Sequence, residues 1–115
     1  MIQRIDVGPR MSEAAIHNGV VYLAGQVAAG AATDIGGQTR EVLAAIDALL
    51  AKAGTDKSRV LRAQIFLADM ADFPGMNAVW DQWVVPGHTP ARATVQAALA
   101  KPQWKVEIVV TAAMP

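Results

Sequence analysis

The sequence contains no cysteine among its 115 residues. This excludes disulfides, thiolate metal sites and a cysteine nucleophile, and it is typical of a reducing compartment. Ten basic and ten acidic residues give no net charge, and no basic patch for nucleic acid or an anionic membrane is present. No segment approaches the roughly 18 consecutive apolar residues of a membrane span, and the first ten residues lack a signal-peptide core. We therefore expect a cytoplasmic protein without nucleic-acid or membrane partners.

Apolar residues are abundant, at 53% of the chain. The length predicts a single domain covering residues 1–115. A domain of this size has much surface for its volume, so an apolar excess tends to lie at a subunit interface. The composition therefore predicts an oligomer.

Three strands are predicted before residue 27. The first covers Met1–Val7. Asn18-Gly19 between two apolar runs favours a tight hairpin turn, because both residues tolerate positive φ. The flanking strands are predicted near Ala14–Ile16 and at Val20–Gln26. The small, Gly/Ala-rich segment Val27–Asp34 predicts a loop.

A long helix is predicted after this loop. Thr33 or Asp34 is a suitable N-cap, and Gly54 is well placed to end the helix. Gly36 and Gly37 weaken its first turn. The predicted apolar face comprises Val42, Leu43, Ile46, Leu49, Leu50 and Ala53.

The second half predicts a strand at Arg59–Ala68 and a helix with Asp72 as N-cap and Pro74 in its first turn. Two further strands follow at Ala91–Leu99 and Val106–Ala112. In the strand at 59–68, one face is predicted to comprise Leu61, Ala63, Ile65 and Leu67, and the other face Arg62, Gln64 and Phe66. The second helix has an apolar stripe formed by Phe73, Met76, Val79, Trp80, Trp83 and Val84.

The predicted order, β-β-β-α-β-α-β-β, indicates an α+β fold in which two helices cover one face of a sheet. The last two strands carry apolar or small residues on both faces. Something must therefore cover the second face, and another subunit is the simplest candidate.

Four stretches carry a resemblance to a known family. They are Tyr22–Gln26, Asp72-Phe73 with Met76-Asn77, Pro90–Val95 and Lys105–Ile108. In order and spacing they resemble the RidA/YjgF family over nearly the whole chain. The run from residue 65 to residue 107 resembles especially the YoaB-like branch, whose physiological role is less settled.

The resemblance implies a chorismate-mutase-like, RidA-type homotrimer with three clefts between neighbouring subunits. In the RidA branch the reaction is hydrolysis of 2-aminoacrylate and related 2-imino acids to 2-oxo acids and ammonia. The family needs no metal and no organic cofactor for this hydrolase activity. The expected ligand is a small carboxylate or imino acid.

Arg92 is the first candidate site residue. A guanidinium offers a planar fork of donors that matches a carboxylate, and it stays charged at any working pH. On a strand it shares a face with Thr94 and Gln96. From the residues alone, a structural ion pair is the alternative; the resemblance favours substrate binding and a catalytic role.

Glu107 is the second candidate, because an acidic side chain among Val106, Ile108 and Val109 is poorly tolerated unless it is paired or used. The resemblance places it where the family glutamate positions or activates the attacking water. As a base it would hold that water, and as an acid it would protonate the departing nitrogen. The alternative is a structural pair with Arg92 or Lys105.

The resemblance also implies ligand contacts at Gly25, Thr94 and Met11. Gly25 would offer its backbone N–H, or else it is a packing glycine. Thr94 stands where the family often has a cysteine, and its hydroxyl can bond a carboxylate or water. Met11 replaces a tyrosine and Ala24 a serine, so the pocket should be more apolar, and imine hydrolysis itself comes into question.

Two further functions compete with the deaminase. The same cleft can hold a 2-oxo acid for sensing without turnover, and the changes at Met11 and Ala24 favour this reading. A ribonuclease activity that has been attributed to some relatives is disfavoured by the neutral net charge of the chain.

His17 and His88 are expected to be exposed or hydrogen-bonded, and Trp80 is expected in the core or an interface together with Trp83.

Overall fold

The computed structural model describes residues 1–115 as one mixed sheet and two helices, neither of which is long and apolar enough to cross a membrane. The strand order is β1-β2-β3-β7-β5-β6, and β4 also pairs with β7. The predicted α+β order is confirmed, with the third strand divided into β3 and β4. The elements are β1 Gln3–Val7, β2 Ser12–His17, β3 Val20–Leu23, β4 Gln26–Val27, α1 Ile35–Ala53, β5 Val60–Leu67, α2 Phe73–Trp83, β6 Ala91–Gln96 and β7 Val106–Ala113.

The β2–β3 hairpin has the predicted two-residue turn. Asn18 and Gly19 adopt φ values of 50° and 77°, as a turn between twisted antiparallel strands requires. β3 then pairs with the C-terminal half of β7, whereas β4 pairs with its start, where Gln26 is opposite Ile108. The predicted strand is therefore interrupted at residues 24–25, between the pairs Tyr22–Thr111 and Gln26–Ile108.

The N-terminus of α1 is capped by Asp34, not by Thr33. The Asp34 carboxylate accepts a hydrogen bond from the Gly37 N–H at 3.1 Å. A β-carbon on Gly37 would lie only 2.7 Å from Asp34 Oδ1, so glycine makes room for the cap. Gly54 ends the helix in the left-handed conformation, at φ 94°, as predicted.

The predicted grouping of four residues on one face of β5 is wrong for Leu61, which is 51% exposed, whereas Ala63, Ile65 and Leu67 are buried. The pairing of β5 with β7 shifts register between Val60 and Arg62. Such a bulge inserts one residue and reverses the side-chain alternation beyond it. Val60 therefore takes the buried position.

Asp72 occupies the predicted N-cap position of α2, but it does not cap the helix in the usual way. Asp72 precedes α2, but its side chain makes no capping hydrogen bond. A 3-10 turn comes first, in which the Asp72 N–H donates to the Asp69 carbonyl and the Asp69 carboxylate accepts from the Ala71 N–H. Asp72 therefore has helical dihedral angles and not the extended ones of a capping residue. Pro74 lies in the first turn of α2, as predicted.

The core lies between the helices and one face of the sheet. Both helices bury their predicted apolar stripes there, including Ile46 and Leu50 of α1 and Met76 of α2. The sheet contributes alternate residues of its three central strands. The fully buried ones are Val21, Ala63, Ile65, Leu67, Val106, Ile108, Val110 and Ala112.

No helix covers the other side of the sheet, which we call the open face and define by Tyr22, Phe66, Val95, Glu107 and Val109. Tyr22 and Val95 are 52% and 45% exposed, and the other three are half-buried. This agrees with the expected second apolar face on β7.

β6 departs from the expected pattern. It ends at Gln96 and not at Leu99, and the side chains that it directs toward the helices are the polar Arg92, Thr94 and Gln96. β6 is an edge strand, and Gln96 at its end is exposed to solvent.

We predict that the open face is an interface in a homotrimer. Size exclusion with light scattering should give a mass near three times 12.1 kDa. Val109→Lys should break the assembly, because it places a charge in an apolar contact. Gln82→Lys, on the exposed surface of α2, is the control and should leave the mass unchanged. A monomeric wild type at micromolar concentration would contradict the prediction.

Candidate ligand site

Arg92 lies near the start of β6, where it pairs in parallel with Ala63 of β5. Its side chain extends toward α2, and Nη1 donates a hydrogen bond of 2.8 Å to Asn77 Oδ1. The predicted face shared with Thr94 and Gln96 is confirmed, because both pair with buried residues of β5.

Two aromatic rings of α2 also contact the guanidinium. Arg92 Cζ lies 5.2 Å from the Trp80 ring centroid and 5.7 Å from that of Phe73. A cation–π contact contributes about 0.5–1 kcal/mol near a surface, whereas a hydrogen bond with a charged partner contributes about 1.5–3 kcal/mol. Asn77 therefore sets the orientation of the guanidinium, and the rings support it.

The guanidinium retains unused donors. Of its five N–H groups, only one on Nη1 is bonded within the chain. The one ion pair of the chain joins Lys52 and Asp6 elsewhere, at 2.6 Å. Arg92 thus has no carboxylate partner in its own subunit, and its free edge has the geometry for a planar carboxylate.

Thr94 lies two residues further along the same face of β6. Its hydroxyl oxygen is buried and has no hydrogen-bond partner in the chain. Leaving a buried hydroxyl unsatisfied costs about 1–3 kcal/mol. A partner for Thr94 is therefore expected from a ligand or from another subunit.

Glu107 and Gly25 are in contact on the opposite side of the sheet. A β-carbon built on Gly25 would collide with Glu107 Oε2, so the absence of a side chain at residue 25 makes space for the carboxylate. The neighbouring segment is fixed to β2: Ala24 N–H donates to the Glu13 carbonyl, and Gln26 Nε2 donates to Glu13 Oε2 at 3.0 Å. The role of the Gly25 N–H toward a ligand stays a prediction.

Met11 lies immediately before β2, at the end of the β2–β3 pair where Glu13 bonds Ala24. Its side chain is 51% exposed. Met11, Ala24 and Gly25 therefore belong to one end of the sheet, and neither Met11 nor Ala24 brings a hydroxyl to it.

The chain does not bring Arg92 and Glu107 together. Arg92 is in register with Ala63 and Val110, and Glu107 is in register with Phe66. Val110 and Glu107 are three residues apart on one strand, so they face opposite sides of the sheet. The alternative of an Arg92–Glu107 pair is therefore excluded within one subunit.

The two cavities of the chain lie elsewhere. One of about 250 Å³ opens between α1 and α2, and one of about 320 Å³ lies between the loop after β4 and the turn before β7. None of the predicted site residues lines either cavity. No cavity within one chain therefore includes both Arg92 and Glu107.

Sequence reasoning missed the contacts of α2 with Arg92. Phe73, Asn77 and Trp80 follow i, i+4 and i+7 spacing, which places them on one helix face. The sequence shows this spacing, but nothing in the sequence shows that this helix face contacts β6. Trp80 is buried, as predicted, and it also supports the guanidinium; His17 and His88 are both exposed, as predicted.

Comparison with known proteins identifies the family. A family model described as Endoribonuclease L-PSP matches residues 1–114. The chain is 55% identical over 114 residues to a RutC family protein of Haemophilus ducreyi, covering 99% of this chain and 97% of that protein. The chain belongs to the RutC/YjgF family.

Other RutC/YjgF proteins agree with this assignment. The RutC family protein YoaB of Escherichia coli is 50% identical over 113 residues, covering 98% of each chain. The predicted resemblance to the YoaB-like branch is thereby confirmed. A crystal structure of a YjgF family member from Neisseria meningitidis superimposes with a TM-score of 0.98 at 48% identity, covering 100% of this chain and 96% of the other. The RutC/YjgF fold is therefore common to both chains.

Proposed function

We propose that the protein binds a small 2-oxo or 2-imino carboxylate through Arg92 and hydrolyses 2-imino acids to 2-oxo acids and ammonia. Membership in the RutC/YjgF family supports a function of the imine-deaminase or endoribonuclease type in general. The observation that carries the specific proposal is the half-buried guanidinium of Arg92, which is held by neutral groups and keeps donors free.

The proposed reaction needs only groups of the protein and water. Arg92 holds the substrate carboxylate with two parallel hydrogen bonds, and the Thr94 hydroxyl bonds the carboxylate or the water. Glu107 takes a proton from the water as its oxygen bonds to the imine carbon. Glu107 returns this proton to the nitrogen, which gives a carbinolamine. Glu107 then carries the hydroxyl proton of the carbinolamine to the nitrogen as the C–N bond breaks, so that the carbonyl of the 2-oxo acid forms and ammonia leaves.

Each site would lie between two copies in a homotrimer. The supporting observation is that Arg92 and Glu107 face opposite sides of one sheet. In a closed ring of copies, one subunit can offer the edge of β6 and the next its open face. The same arrangement would give the Thr94 hydroxyl a partner.

A second candidate is a carboxylate-binding protein without turnover. Met11 and Ala24 favour it, because neither supplies the hydroxyl that the family has at these positions. An assay for ammonia release from 2-aminoacrylate and 2-iminobutanoate generated in situ separates the two, with Arg92→Ala as the negative control. Ammonia release by the wild type but not by Arg92→Ala supports hydrolysis. Binding of 2-oxobutanoate without any ammonia release supports a carboxylate-binding protein.

Arg92→Lys should weaken pyruvate binding roughly ten- to hundredfold, as expected for loss of a charged hydrogen bond worth about 1.5–3 kcal/mol. Lysine keeps the charge but loses the two-pronged geometry. Calorimetric titration measures the affinity. Arg40→Lys, on the exposed surface of α1, is the matched control and should bind like the wild type. Equal affinity in Arg92→Lys would mean that Arg92 is structural.

Glu107→Gln should lower kcat at least about tenfold with nearly constant KM, because the amide keeps the size but cannot exchange a proton. Asp81→Asn, which removes an exposed carboxylate from α2, is the control. The variant must keep the wild-type mass, since Glu107 lies on the open face. Full turnover by Glu107→Gln would show that the water is activated by another group.

Mixed oligomers test whether Arg92 and Glu107 act from different subunits. Co-expressed Arg92→Ala and Glu107→Gln chains should regain activity, because about one quarter of the sites in randomly assembled rings receive both native residues. Each variant alone supplies the baseline, and ammonia release is the measurement. Activity no higher than that baseline, in verified mixed oligomers, would contradict a site that takes Arg92 from one subunit and Glu107 from the next.

A further inference from the structure

We infer that Asn77 is a positioning residue that fixes the guanidinium of Arg92 through a neutral oxygen and so keeps the site selective for anions. The inference rests on the proposed carboxylate binding at Arg92 and names the group that gives the binding its orientation and charge preference. Asn77 has no assigned role in the proposed hydrolysis itself.

The geometry makes Asn77 a rigid support. It lies in the middle of α2 and follows directly on the fully buried Met76. Val79, Trp80 and Trp83 anchor the next turns of the helix in the core. The packing of the helix therefore fixes the position of the Asn77 amide. The hydrogen bond of 2.8 Å from Arg92 Nη1 to this amide restrains the guanidinium in turn.

The contacts of Asn77 are those of a residue that serves another side chain. The one hydrogen bond that its side chain makes within the chain is the one to Arg92. Gln38, the buried amide of α1, differs in this respect, because it bonds the backbone at Ala32, Gln103 and Lys105 and thereby ties two loops together. Asn77 holds no backbone segment in place.

The chemistry explains why an amide occupies this position. The guanidinium has only donors, so it needs an acceptor to hold it, and the amide oxygen supplies one without a charge. A carboxylate there would form an ion pair and compete with the ligand for the same cation. The two supporting rings of Phe73 and Trp80 are neutral as well. Within its own subunit, Arg92 is thus held while its positive charge remains available.

Two substitutions separate orientation from charge. Asn77→Asp is nearly isosteric and keeps an acceptor, but it adds a negative charge beside Arg92. Asn77→Ala removes the acceptor and leaves the charge unopposed. Gln82→Glu adds the same charge on an exposed position of α2 and is the matched control. All variants are first checked for the wild-type oligomeric mass and circular dichroism.

Affinities for pyruvate and for its neutral amide, pyruvamide, are then measured by calorimetry or ligand-observed NMR. Asn77→Asp should lower the preference for pyruvate over pyruvamide roughly tenfold or more, because the added carboxylate opposes the anion. Asn77→Ala should weaken pyruvate binding several-fold. It should lower the preference for pyruvate over pyruvamide less than Asn77→Asp does. Gln82→Glu should match the wild type on both measures.

The inference is overturned if Asn77→Asp keeps the wild-type preference and affinity while Arg92→Lys loses binding. That outcome leaves the proposed function in place and shows that the bond to Asn77 is incidental. Unchanged pyruvate binding in Arg92→Lys would instead overturn the proposed function, and the inference with it. A preference that falls equally in Gln82→Glu would assign the effect to overall charge and also overturn the role of Asn77.

Discussion

The position of β7 between β5 on one side and β3 and β4 on the other decides which side chains can meet. Its alternate residues, from Val106 to Ala112, enter the core beneath the helices. Of the residues between them, Glu107 and Val109 belong to the open face. Because this alternation is fixed by backbone geometry, Glu107 cannot be moved to the side of Arg92 by any change of rotamer. The separation of the two candidate residues thus follows from the register of the sheet.

Much of the fold could be predicted from the sequence, because the decisive signals are local. Helical periodicity located α1 and α2, and Asn18-Gly19 located the hairpin. The errors arose where a partner strand or turn intervened. Leu61 fits strand alternation by itself, but a bulge against β7 turns it outward. Asp72 has the right residue type for a cap, but the preceding 3-10 turn already holds its backbone in helical form.

The candidate site was predictable only in part. The resemblance supplied Arg92 and Glu107, and of the two only Glu107 is unusual among its sequence neighbours. To predict that they lie on opposite faces, one needs the strand order β7-β5-β6. This order depends on contacts between residues far apart in the sequence. The partnership of Asn77 with Arg92 also depends on the docking of α2 against an edge strand. The reason for glycine at residue 25 became clear only from the nearby Glu107 side chain.

The support of Arg92 by α2 has a thermodynamic consequence. Arg92 on β6 and Asn77 on α2 meet only when the helix is docked on the sheet, and local opening of such elements is a normal part of native-state dynamics. A ligand that binds only the docked form stabilises it by RT ln(1 + [L]/Kd). Occupancy of Arg92 and closure of the helix against the edge strand are therefore linked equilibria. Amide hydrogens of α2 would exchange with solvent more slowly in the ligand-bound protein, although the ligand lies at the strand and not within the helix.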